Sequence, residues 1–106
     1  MTSGPEPVGT LDVALAHAEK LLVSQPGLAA EQAREILGAV PNHPAATLLL
    51  AMARRRSNDV ADALRILEPL AASQPRWAAA QRELGLALGD AGRGEEAVAA
   101  LRTAVR

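Results

Sequence analysis

The stretch ELGLALGDAGRGEEA, residues Glu83–Ala97, decides the fold class of this chain. Its apolar residues follow helical spacing as far as Gly89, and a glycine-rich turn then separates them from a second segment that begins at Gly94. Glu95 and Glu96 open that second segment, where carboxylates stabilise the positive end of a helix. The stretch therefore predicts a helix, a tight turn and another helix.

The same punctuation recurs along the rest of the chain, where clusters of Ser, Asn, Pro and Gly separate segments with helical spacing. Residues 1–9 carry two prolines and two glycines and are expected to be a disordered lead-in. Thr10 and Asp59 are the expected N-caps of two helices. The pattern predicts an all-α fold whose helices span residues 10–23, 28–40, 45–57, 60–73, 76–90 and 94–106.

An internal repeat accompanies this pattern. Pro41 and Pro75 are related by a 34-residue shift, and the same shift aligns Ala63 with Ala97. Six helices with short connections predict three antiparallel hairpins, and a 34-residue period indicates that the hairpins are copies of one another. The expected repeats, which together form one domain over residues 10–106, are 10–43, 44–77 and 78–106.

Composition excludes several classes of protein. The chain has 106 residues with 49% hydrophobic side chains, a net charge of −1, a single aromatic residue (Trp77) and no cysteine. The lack of cysteine excludes disulfides and thiolate chemistry, and the near-zero charge argues against a nucleic-acid partner. No apolar run approaches the roughly 20 residues of a membrane helix, and no signal peptide is recognisable. A soluble, cytoplasmic protein without a membrane partner is expected.

Glu83–Ala97 resembles the core of a tetratricopeptide repeat, with Leu84-Gly85 followed by Gly92 and Ala97. The small residues Gly85 and Ala97 fall where the two helices of such a repeat touch. The resemblance implies three stacked antiparallel hairpins that form a right-handed α-solenoid. Leu28–Leu37 resembles, more narrowly, the N-terminal repeats of bacterial tetratricopeptide–sulfotransferase fusion proteins. No phosphate-binding loop of a sulfotransferase accompanies it.

Residues with catalytic potential are few. His17 and His43 are the only imidazoles, and His17 has no second metal ligand one helical turn away. Ser, Thr and the carboxylates form no recognisable nucleophile–base arrangement. We expect no catalytic, cofactor-binding or metal site, and hence no enzyme.

The resemblance to tetratricopeptide proteins implies an interaction scaffold that binds a protein or peptide on the concave face formed by the first helix of each hairpin. The expected partner-binding residues are Leu48, Met52, Arg55, Arg82 and Leu86. Arg54–Arg56 can alternatively be explained by the attraction between cations and a helix C-terminus. If Arg55 and Arg82 serve the partner, their replacement should weaken binding without lowering stability.

Two other functions stay open at this point. The chain could be the non-catalytic N-terminal region of a longer sulfotransferase-like enzyme, or a self-associating structural unit. A homo-oligomer would use an apolar strip on and beside the last helix, which contains Leu88, Val98, Leu101 and Val105. The expected core contains Leu15, Ala33, Leu37, Leu50, Ala63, Leu67, Trp77, Leu84, Ala97 and again Leu101.

Overall fold

The computed structural model describes residues 7–105. This part of the chain is all-α, as predicted, and its helices are α1 (Pro7–Ser24), α2 (Pro26–Ala39), α3 (Pro44–Arg56), α4 (Val60–Ser73), α5 (Ala78–Asp90) and α6 (Gly94–Ala104). Of the expected lead-in, residues 1–6 lie outside the described range, whereas residues 7–9 belong to α1. Thr10 is therefore inside α1 and does not begin it. Proline favours the first turn of a helix, which explains the earlier start.

Side chains cap α3 and α4. Asp59 accepts a hydrogen bond from the amide of Asp62 at 3.2 Å and so caps α4, which confirms the prediction. His43 caps α3, because its Nδ1 atom accepts from the amide of Ala46 at 3.3 Å. Its imidazole thus has a structural partner.

The turns inside the second and third hairpins are built alike. Asn58 and Gly92, which the 34-residue shift relates, both have left-handed backbones, with φ of 65° and 79°. The amide that follows each of them donates back to the preceding helix, to the carbonyls of Arg54 and Leu88, at 2.8 Å in both turns. These are the bonds of a Schellman motif, which ends a helix and satisfies its last carbonyls.

Burial also follows the 34-residue period from α2 to α5. The buried residues of α2, namely Ala29, Ala30, Ala33 and Ile36, stand one period before the buried residues Ala63, Leu64, Leu67 and Leu70 of α4. In the same way, Ala46, Leu49, Ala51 and Ala53 of α3 precede Ala80, Glu83, Gly85 and Ala87 of α5. The period found in the sequence is therefore also a period of packing.

Helix α1 departs from this register. Ala18 is fully buried, whereas His17, which the 34-residue shift would place in the core, is exposed. The shorter connection explains why α1 buries a different side. Only Gln25 separates α1 from α2, whereas three residues separate α3 from α4 and α5 from α6.

Two hydrophobic clusters hold the helices together. One unites α1, α2 and α3 around Ala18 and Ala33, and the other unites α3 to α6 around the fully buried Leu67. Each helix contacts the next, and α3 also contacts both α1 and α5. Of the expected core, Ala33, Ala63, Leu67 and Ala97 are buried, Leu15, Leu37, Leu50, Trp77 and Leu84 are partly buried, and Leu101 is exposed. None of the helices in residues 7–105 has the length and apolar character of a membrane span.

Candidate functional site on the α3–α5 face

The expected partner-binding residues fall into three groups in the structure. Leu48 is buried in the cluster of α3 to α6, so its assignment to a binding surface is wrong. Met52 is half-buried and packs against both clusters. Arg82 and Leu86, one helical turn apart on α5, are exposed. Arg55 is mostly covered and has two acidic neighbours.

Arg55 joins α3 to α5 through carboxylates. Its Nε atom donates to Glu83 at 3.0 Å, and its Nη1 atom donates to Asp90 at 3.4 Å. Burial opposes the charge of this guanidinium, but the hydrogen bond and charge of Glu83, followed by those of Asp90, raise the pKa of Arg55. The arginine is therefore held as a cation between two helices.

This position corrects the expectation that Arg55 can be replaced without loss of stability. Glu83 is buried, and removal of its cation would leave a carboxylate in the interior without its counter-charge. The neighbouring Arg54 pairs with Asp62 of α4 at 3.0 Å. The arginine run at the end of α3 thus contributes ion pairs to α4 and α5, in addition to any effect on the helix dipole.

An open cleft of about 700 Å³ lies where α3 and α5 begin. Its lining is largely apolar and consists of His43, Pro44, Ala45, Gln74, Pro75, Arg76 and Trp77. Trp77 is the residue before α5 and is also packed in part against the core. The exposed guanidinium of Arg76 adds a positive charge to this apolar site.

Gln81 positions the connection that carries half of this cleft. Its buried amide donates to the carbonyls of Ala71 and Pro75, at 3.3 and 3.4 Å. A buried amide with two such bonds fixes the approach of α4 to α5. Sequence reasoning missed both Gln81 and the cleft. One signal was available, because His43 and Trp77 are 34 residues apart and each has a proline within two residues.

We define the α3–α5 face as Met52, Arg82 and Leu86 together with the cleft at the start of the two helices. Ala79 and Leu86 are seven residues apart on α5, with Arg82 between them at helical spacing. These residues therefore share one side of α5 over about two turns.

The residues expected to support self-association are also divided. Leu88 is buried between α5 and its neighbours, so its assignment to an exposed strip is wrong. Val98, Leu101 and Val105 are exposed. Leu101 nevertheless lies close to Gly85, since a Cβ atom added to that glycine would be 2.6 Å from the Cγ atom of Leu101.

Within residues 7–105, no group of three or more His, Asp or Glu side chains is arranged to hold a metal ion. His17 is exposed and His43 serves as a helix cap. Comparison with protein-family models finds no match for the chain, and comparison with curated proteins finds none either.

Proposed function

We propose that this chain is a non-enzymatic interaction module of the tetratricopeptide type, in which stacked helical hairpins form a right-handed solenoid. It binds a peptide or protein segment on the α3–α5 face. The recurrence of burial at 34-residue intervals from α2 to α5 supports the repeat architecture. The open cleft beside Trp77 is the observation that supports binding.

The chemistry of the face defines the partner. An apolar cleft lined by prolines and a tryptophan suits an aliphatic or aromatic side chain, which would lose water on entering it. Arg76 flanks the cleft and Arg82 lies farther along α5, and both are exposed cations. A partner segment that carries an apolar anchor followed by carboxylates fits both features.

The Arg55–Glu83 pair contributes rigidity to this face. It links α3 to α5, and the exposed Arg82 of α5 takes no part in it. Fixed helices bind a peptide at a smaller entropic cost than mobile ones, because the surface is already ordered. Arg55 therefore supports binding indirectly, whereas Arg82 and Leu86 contact the partner.

Selection from a displayed library of random peptides tests the proposal. We expect the selected peptides to share an apolar residue next to Asp or Glu. Leu86→Glu and Arg82→Glu should each weaken binding of a selected peptide by about tenfold or more, which corresponds to about 1.4 kcal/mol. Their melting temperatures should stay close to that of the unmodified chain, because both side chains are exposed.

Matched controls exist on α2. Leu28→Glu repeats the change of an exposed leucine, and Arg34→Glu repeats the charge reversal of an exposed arginine. Both controls should leave peptide affinity unchanged. Equal losses in the α2 and α5 variants, or selected peptides without carboxylates, would contradict the proposed face.

A further inference from the structure

The internal repeat reveals an uncovered apolar flank on α6. The α4 residues Leu64, Leu67 and Ala71 are 8%, 0% and 4% exposed. Their counterparts one repeat later, Val98, Leu101 and Val105, are 48%, 36% and 85% exposed. Helix α5 packs against α4, whereas among the described residues α6 packs only against α5. We call Val98, Leu101 and Val105 the α6 flank.

The two ends of the helical array differ in chemistry, which restricts how a second copy could cover this flank. The outward side of α1 exposes the charged residues Asp12, Glu19 and Lys20, with the exposed valines Val13 and Val23 beside them. A head-to-tail stack would place these charged groups against valine and leucine. The charged groups would lose their contacts with water and gain no polar partner in exchange, which is unfavourable. A symmetric contact, in which the α6 flank meets the same flank of another copy, places apolar side chains against one another.

The charges beside the α6 flank determine the direction of such a pair. Val98, Leu101 and Val105 have the three- and four-residue spacing of a coiled-coil seam. Glu95 and Arg102 are seven residues apart and hence lie on the same edge of that seam. When two such helices run antiparallel, Glu95 of each copy faces Arg102 of the other, so both contacts join opposite charges.

We propose that two copies of this chain associate through an antiparallel α6–α6 contact centred on the α6 flank. This contact is separate from the α3–α5 face and does not depend on peptide binding. Helix α6 has 11 residues and is about 16 Å long, so the buried area falls below the roughly 1,600 Å² of a standard interface. The dimer should accordingly be weak, with a dissociation constant of about 10 μM to 1 mM.

Sedimentation velocity from about 10 μM to about 1 mM measures this association. The average mass should rise from 11.0 kDa toward twice that value with concentration. Val98→Lys should weaken dimerisation at least tenfold. Val23→Lys is the matched control, since Val23 is an exposed valine of α1, and it should have no effect. Circular dichroism of each variant checks that the helices are retained.

A charge exchange tests the antiparallel geometry. Glu95→Arg and Arg102→Glu should each weaken the dimer, because each variant creates two like-charge contacts. The variant that carries both changes should regain the original affinity. A mass of 11.0 kDa throughout the concentration range would overturn the proposal. Equal effects of Val98→Lys and Val23→Lys, or no recovery in the double variant, would overturn the α6–α6 arrangement.

Discussion

Replacement of Arg55 by alanine removes the cation between α3 and α5. The side chain of Glu83 is 5% exposed and that of Arg55 is 18% exposed, with 3.0 Å between them. Loss of one partner from a fully buried ion pair costs about 3–5 kcal/mol. Because Arg55 keeps some contact with water, we expect a loss of about 2–3 kcal/mol in the free energy of unfolding. Urea denaturation at pH 7, followed by circular dichroism, measures this change.

A double variant separates the ion pair from general packing. Leu49 is the counterpart of Glu83 one repeat earlier and is buried in the same way, so leucine suits this site on a helix of this kind. Arg55→Leu combined with Glu83→Leu should unfold within about 1 kcal/mol of the original chain, although each single change is costly. Arg56→Ala, at an exposed site, should change stability by less than about 0.5 kcal/mol. An Arg55→Ala variant as stable as Arg56→Ala would refute the structural role of Arg55.

Three further predictions concern the contact between α5 and α6, the cap of α4 and a surface ion pair. Gly85→Ala should lower the free energy of unfolding by about 1–2 kcal/mol, because the added Cβ would lie 2.6 Å from a leucine side chain of α6. Gly89→Ala should instead raise it by up to about 1 kcal/mol, because the added Cβ meets no atom within 4 Å and alanine favours the helix. Asp59→Ala should cost about 1 kcal/mol by removing the cap of α4. The hydrogen bond from Arg93 lowers the pKa of Glu96, and Arg93→Ala should raise that pKa toward its ordinary value in an NMR titration.

The sign of the Glu96 effect follows from its lowered pKa. Folding favours the carboxylate, so the resulting stabilisation is present above the unfolded pKa of about 4.3 and is lost as the pH falls through the lower folded value. An unchanged Glu96 titration after Arg93→Ala would exclude this pairing. Equal stabilities of the two glycine variants would contradict the close approach of α5 and α6, and an Asp59→Ala variant of undiminished stability would contradict the cap.

Local features of the fold could be predicted from the sequence, because they depend on residues close together in the chain. The cap at Asp59 and the paired turns at Asn58 and Gly92 are of this kind. Side chains whose surroundings depend on neighbouring hairpins were harder to place. Leu48 and Leu88 were expected at a surface and are buried. Both belong to the cluster that α3 to α6 form together, and helical spacing within one segment does not show which residues such a cluster covers.

The candidate site was predicted only in part for the same reason. Arg82 and Leu86 lie on the exposed side of α5 that the repeat pattern indicated. Glu83, the buried partner of Arg55, belongs to a different helix, and its identification requires the packing of α3 against α5. The cleft likewise forms from two connections that are distant in sequence, so no local pattern specifies its volume.

Equivalent packing at 34-residue intervals underlies both proposed surfaces, and methyl NOE spectroscopy of the chain tests it most directly. The δ-methyl groups of Leu101 should show cross-peaks to the α-protons of Gly85. The δ-methyl groups of Leu67 should show the equivalent cross-peaks to the methyl group of Ala51. They should also show cross-peaks to residues of α5, whereas no described helix lies at the corresponding side of Leu101. Absence of the Leu101–Gly85 cross-peaks, or contacts from Leu101 to residues of α1 or α2, would contradict the repeat.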